Sequence, residues 1–357
     1  MFKKISEGDV FATTVDCATS GPRAAVLPDG RVVCTFMINS YSGSNDFVPM
    51  IAVADENLNF GEAEKLWPAL EDKWSLFGSV RRGGDGRYSF SGQVFPIAQK
   101  GEAFWSDEAL GMKENYVFYS LSDDGVNFPE PKMLDLPYYA SAEQPGGLLV
   151  DADGKMTMIY APYPTIEKRE PVDNGCIVML RSTDGGESFE SKKFGSVDGD
   201  SQYAESWIVR LADGRLAVST WQTASEDSTR YFISDDDGKT VNGPFTQPFR
   251  GQSTGAFAMD DGSVLIVYNQ RKYGTVGVWM AHERFGADGK VDVLYNEPVW
   301  EAESATKTGE STDFGQWTDF SFGEPAVTVL PDGDVLVVLW YKKGDVNGVR
   351  YVRLRKE

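Results

Sequence analysis

Ala24-Ala25-Val26-Leu27-Pro28-Asp29-Gly30-Arg31-Val32-Val33-Cys34-Thr35-Phe36 reads as two apolar strands joined by an Asp-Gly turn. Both turn residues tolerate positive φ, so Asp-Gly between β-rich runs marks a hairpin. The pattern returns at residues 147–160 around Asp153-Gly154, 207–221 around Asp213-Gly214, 255–268 around Asp261-Gly262 and 326–341 around Asp332-Gly333. A sixth, degenerate copy is read over residues 88–105, with Lys100-Gly101 at the turn.

A second hairpin follows each of these, and its turn carries its own signature. Ser182-Thr183-Asp184-Gly185-Gly186-Glu187-Ser188-Phe189 fits S-x-D-x-G-x-x-[FW] in full. Ser234 to Val241 lacks only the final aromatic, Ser122 to Phe128 is one residue shorter, and Ala54 to Phe60 is a worn copy. These are Asp-boxes, in which Ser and Asp side chains satisfy turn amides. Two hairpins per unit make a four-stranded antiparallel blade. Six units in 357 residues, about 60 each, predict an all-β, six-bladed β-propeller spanning 1–357 as one domain.

Composition narrows the function. There are 34 Lys+Arg against 54 Asp+Glu, a net charge of −20, which disfavours nucleic acid and anionic membrane as partners. One histidine excludes His-rich metal sites and two-imidazole mechanisms, so proton chemistry falls to carboxylates, Tyr or Lys. No metal-ligand spacing is present, and no cofactor is expected. Three cysteines are not a disulfide framework, and the N-terminus has no apolar signal core. A cytoplasmic location is the expectation, with a secreted or periplasmic one as the alternative for a chain whose N-terminus has been trimmed.

Within each copy the first strand runs toward the Asp-Gly turn and the second returns. The residues before the first and after the second therefore share one mouth of the channel, and the turns lie at the other. Eight residues before each turn Asp stand Gly21, Pro145, Glu205, Ser253 and Glu324. Two of the five are glutamates in otherwise apolar strand starts. After the second strands come Asn39 to Asp46, Tyr160 to Tyr163, Trp221-Gln222, Asn269-Gln270-Arg271 and Trp340 to Lys343. Tyr163, Trp221, Trp340 and Tyr273 offer faces for a sugar ring, and Gln222 an amide. Carboxylates at such a mouth suit acid/base work on a glycosidic bond, so carbohydrate is the expected partner. The alternative for Glu205 and Arg23 is an inert ion pair across the channel. Arg81-Arg82, before Gly83-Gly84-Asp85-Gly86-Arg87, is placed at the start of blade 2, where no helix follows to make a phosphate loop. Residues 67–87 and 291–322 are expected to overhang the mouth, with Asp313, Trp317 and Asp319 lining it from above.

At these positions the chain resembles the bacterial exo-sialidase (neuraminidase) superfamily of glycoside hydrolases, in blade register over nearly its whole length. Arg23 in Pro22-Arg23-Ala24-Ala25 matches the family's first arginine. Asp46 in Ser44-Asn45-Asp46-Phe47-Val48 matches its acid/base Asp, Glu205 its blade-4 Glu, and Arg271 the arginine after the blade-5 hairpin. Two positions depart. Trp221-Gln222 stands where another arginine is expected, and Glu324 where the nucleophilic Tyr is expected. The resemblance implies an exo-acting glycosidase on a terminal acidic or heavily hydroxylated sugar. Asp46 would be its general acid/base, and Glu324 and Glu205 would compete as nucleophile or water-activating base. Arg23 and Arg271 would clamp a substrate carboxylate, with one of Arg81 and Arg82 replacing the missing arginine. Two other readings stand beside it. One is a lyase or uronate-directed glycosidase, for which His282 is the only histidine. The other is a carbohydrate-binding propeller without catalysis.

Overall fold

The computed structural model describes residues 1–167, 169–197, 201–223, 228–286, 288–303 and 320–357. Its strands form six antiparallel blades. From axis to rim, blade 1 is Ala18–Val26, Val32–Asn39, Val48–Val53 and Glu64–Lys65. Blade 4 is Tyr203–Arg210, Leu216–Gln222, Ser228–Ser234 and Asn242–Arg250. In blade 6, Phe322–Val329, Val335–Lys343 and Val346–Lys356 are completed on the outside by Phe2–Thr13. The first strand of the chain thus closes the ring.

The second strand of each blade is covered on both faces by neighbouring blades and is buried along most of its length. Val335-Leu336-Val337-Val338-Leu339 is buried throughout. The outermost strand Asn242–Arg250 faces solvent and is mostly exposed. Six apolar clusters form, one between each pair of adjacent blades. The Asp-Gly turns close as read: Gly30 sits at φ 88°, and Leu27 N–H donates to the Arg31 carbonyl at 2.8 Å. In the outer turns Ser and Asp side chains hold the backbone. Asp184 Oδ1 accepts the N–H of Glu187 and Ser188, both at 3.1 Å, and Ser182 Oγ accepts that of Gly186 at 2.8 Å.

Blade 2 departs from the sequence reading. Its inner hairpin is Trp74–Arg82 and Tyr88–Pro96, and the turn is Asp85-Gly86, with Gly83 N–H on the Arg87 carbonyl at 2.7 Å. Lys100-Gly101 belongs to an excursion, residues 97–115, between the second and third strands. The hairpin lies one strand earlier than the repeat pattern suggests, because Asp85-Gly86 is preceded by Arg81-Arg82 rather than an apolar run. Residues 67–87 therefore form a 3-10 turn, Pro68–Leu70, and the inner strand, and do not overhang the mouth. Residues 291–301 are the outer strand of blade 5. Asp313, Trp317 and Asp319 lie outside the described residues.

The overhang comes from residues 97–115. Trp105–Ser106 pairs with Gly111–Met112, and the excursion is tied to the blades on either side. Asn45 N–H donates to the Glu102 carbonyl at 2.8 Å, and Met112 N–H to that of Pro164 at 3.0 Å. A Cβ at Gly111 would meet the Pro164 oxygen at 2.0 Å, so only glycine permits this approach. Among the described residues no helix is long and apolar enough to cross a membrane.

Candidate active site

The inner strands carry a recurring irregularity near their starts. Register shifts fall between Ser20 and Arg23, Ala204 and Trp207, Gln252 and Gly255, and Gly323 and Ala326. A β-bulge of this kind re-aims one side chain. Three equivalent positions occupy the left-handed region: Gly21 at φ 55°, Glu205 at 50° and Glu324 at 46°. Glycine is at ease there, whereas a glutamate is strained by on the order of 1–3 kcal/mol. Strained non-glycine residues of this sort gather at functional sites.

Both glutamates line a cavity of about 500 Å³ at that mouth. A third, Glu143, lines it with them. The Glu205 N–H donates to Glu143 Oε2 at 2.9 Å, and Trp221 Nε1–H to Glu205 Oε2 at 2.6 Å. Gly21 N–H donates to Glu324 Oε2 at 2.7 Å. Burial pushes the Glu143 carboxyl well above its ordinary value, with the charge of Glu205 adding to the effect. Burial also raises Glu324, to about 7; Arg23 opposes the shift and Glu205 reinforces it. Tyr163 lines the cavity too, and its phenol is raised by burial, then by Glu143 and Glu205.

Sequence reasoning missed Glu143. Counting eight residues back from Asp153 lands on Pro145, but in blade 3 the inner strand is broken between Ser141–Glu143 and Leu148–Val150. The carboxylate is therefore carried two residues further upstream. Gly146-Gly147, with Gly147 at φ 71°, was the available signal of that break.

The other predicted residues divide into two groups. Trp221, Trp340, Tyr163 and Arg271 line the cavity with Glu205 and Glu324. Asp46, Arg23, Arg81, Gln222 and Tyr273 are not among its lining residues. Asp46 accepts the Ser40 N–H at 3.1 Å and the hydroxyls of Ser40 and Ser44, which folds the 40–46 loop on itself. Arg23 is buried beneath the glutamates and donates Nη1 to the carbonyls of Pro22 at 2.8 Å and Glu324 at 2.9 Å. Arg81 lies at the turn end of its strand rather than at the start of the blade, and donates to the Ile208 carbonyl at 2.7 Å. Gln222 bridges Ser201 and Arg230, and Tyr273 packs near Arg250. His282 is buried between blades, with Nε2 2.7 Å from Ser263 Oγ and its ring against Phe2. The lyase reading thus has no histidine in the cavity.

No family model and no curated protein matches the sequence. Solved structures do share the fold. A protein of unknown function from Dyadobacter fermentans superposes with a TM-score of 0.72 at 15% identity, covering 100% of this chain and 99% of that one. The NanB sialidase of Streptococcus pneumoniae gives 0.62 at 13% identity, over 97% of this chain and 70% of that one. The chain has the sialidase-like propeller fold. The α-L-arabinofuranosidase Arb93A of Fusarium graminearum is also similar, at 0.58 and 12% identity over 99% and 98%. At these identities the likeness concerns the fold alone.

Proposed function

We propose that the protein is an exo-acting glycoside hydrolase whose acid and base come from Glu143, Glu205 and Glu324. The carrying observation is the convergence of three glutamates, two of them on strained bulges, on one cavity with aromatic walls. A sialidase and an arabinofuranosidase built on the same fold support the reaction class.

Glycoside cleavage needs one carboxyl that gives a proton to the leaving oxygen and a second that attacks or activates water. Half-buried Glu143 keeps its proton above the ordinary carboxyl range and is the general acid. Glu205, oriented by the Trp221 N–H, is the nucleophile or base. Glu324 shares the site with both, and Arg23 beneath supplies the counter-charge that lets three carboxyls coexist. Asp46, given the acid role from the resemblance, is engaged by Ser40 and Ser44 and yields that role to Glu143.

The test is turnover of a panel of aryl glycosides by wild type, Glu143→Gln, Glu205→Gln and Asp46→Asn, with circular dichroism to verify folding. The first two variants are expected to lose ~10²–10⁴-fold in kcat, and Asp46→Asn to stay within about tenfold. Full turnover in both glutamine variants would exclude the assignment.

A further inference from the structure

The charges facing the cavity are unevenly matched. Among the described residues Asp16, Glu143, Glu205 and Glu324 line it, whereas the lining cations are Arg271 and, on an exposed stretch at the rim, Lys342. A clamp for a ligand carboxylate needs a guanidinium fork aimed at the ligand. Both Nη groups of Arg271 and one of Arg23 are taken up by the protein, while Arg23 Nε is buried without a hydrogen-bond partner. Arg23 gives Nη1 to two backbone carbonyls and lies 5.0 Å from the ring of Trp207. Its charge answers Glu324, Glu205 and Glu143, in that order of strength. Arg271 gives Nη1 to Gln252 Oε1 at 2.9 Å and Nη2 to the Phe322 carbonyl. Its guanidinium lies 3.7 Å from the ring centre of Phe320. The position where another arginine was expected holds Trp221, which serves Glu205.

We infer that the sugar ring held against the three glutamates is uncharged, not an acidic sugar. This inference rests on the proposal that the cavity takes a sugar. The hydroxyls of a neutral ring donate to glutamate oxygens, and its apolar face packs on the indole walls. A carboxylate in the same place gives up its water and finds, among the described residues, no guanidinium fork turned toward it in return.

Matched sugars that differ by one charge test it. Trp105, Trp221 and Trp340 line the cavity and report occupancy through their fluorescence. Wild-type protein is titrated near neutral pH with glucose against glucuronate, galactose against galacturonate, and N-acetylneuraminate methyl ester against the free acid. Arabinose and xylose are added as further uncharged rings. At least one uncharged sugar is expected to give saturable quenching, with any charged counterpart at least ~10-fold weaker. A charged member binding as tightly as its uncharged partner overturns the inference, and so does a lack of binding by every uncharged sugar. These probes have no glycosidic bond to break. Charge preference is therefore read even where the aryl glycosides stay intact, and the two failures are distinguishable.

Discussion

A glutamate at positive φ, half-buried beside two other carboxyls, offends backbone sterics and electrostatics at once. Glu205 and Glu324 both do so. Blade 1 shows the relaxed version of the same bulge, with Gly21 at that position. Another carboxyl carries only the electrostatic half. Glu283 is fully buried between blades 4 and 5, and both its oxygens are without a hydrogen-bond partner. Burial alone raises it to about 8. The folded protein then holds a proton that the unfolded chain releases near ~4.3, so stability falls as pH rises through that window. Glu283→Gln removes the ionisation and is expected to match wild type at about pH 5. At about pH 9 it should be more stable by a few kcal/mol. Denaturant midpoints at the two pH values check this, and equal pH slopes for the two proteins would refute it.

At the level of elements, the excursion over residues 97–115 builds the aromatic rim. Glu102 is its fastener: Oε1 accepts Lys113 Nζ at 2.6 Å, Asn45 Nδ2 at 2.7 Å and the Ala98 N–H at 2.9 Å. Burial raises this carboxyl, but the three donors together bring it below its ordinary value. Glu102→Ala strands a half-buried ammonium and an amide, a loss of about 1–3 kcal/mol. The expected outcome is faster proteolysis within 97–115 and a raised KM for an oligosaccharide, with the KM of a small aryl glycoside little changed. Equal KM changes for both substrates would remove the excursion from substrate binding. The excursion was hidden in the sequence because Lys100-Gly101 resembles a hairpin turn locally. Only its pairing with the loops of blades 1 and 3 gives it another role.

For the whole molecule, closure of the ring depends on Phe2–Thr13 pairing with Val346–Lys356. Phe2 and Val10 are buried in two different blade interfaces. Removing residues 1–13 exposes both interfaces and leaves an unpaired strand edge in blade 6. From two apolar side chains alone the loss is roughly 4 kcal/mol. The truncated protein is expected to melt well below the full chain and to aggregate through its open edge, as seen by calorimetry and light scattering. An unchanged melting temperature would show that the first strand is dispensable. Charge is also distributed at this scale. Arg210 bonds Asp151 at 2.6 Å and Asp237 at 2.7 Å, and Arg353 bonds Asp334 at 2.7 Å. These three aspartates, part of the acidity behind the net charge of −20, are not among the residues that line the cavity.

The sequence by itself determined the six-bladed architecture, five of the six inner hairpins, and the placing of Glu205 and Glu324 at the mouth that holds the cavity. Those follow from turn chemistry and strand periodicity, which act over a few residues. Tertiary structure alone decided that Glu143 joins Glu205 and Glu324, since a broken strand shifts the count that register relies on. It also decided that Asp46 folds into its own loop, and that Arg23 and Arg271 spend their forks on carbonyls and Gln252. The direction of a side chain depends on partners tens to hundreds of residues away, such as Glu324 for Arg23 and Phe322 for Arg271. No local pattern encodes those partners.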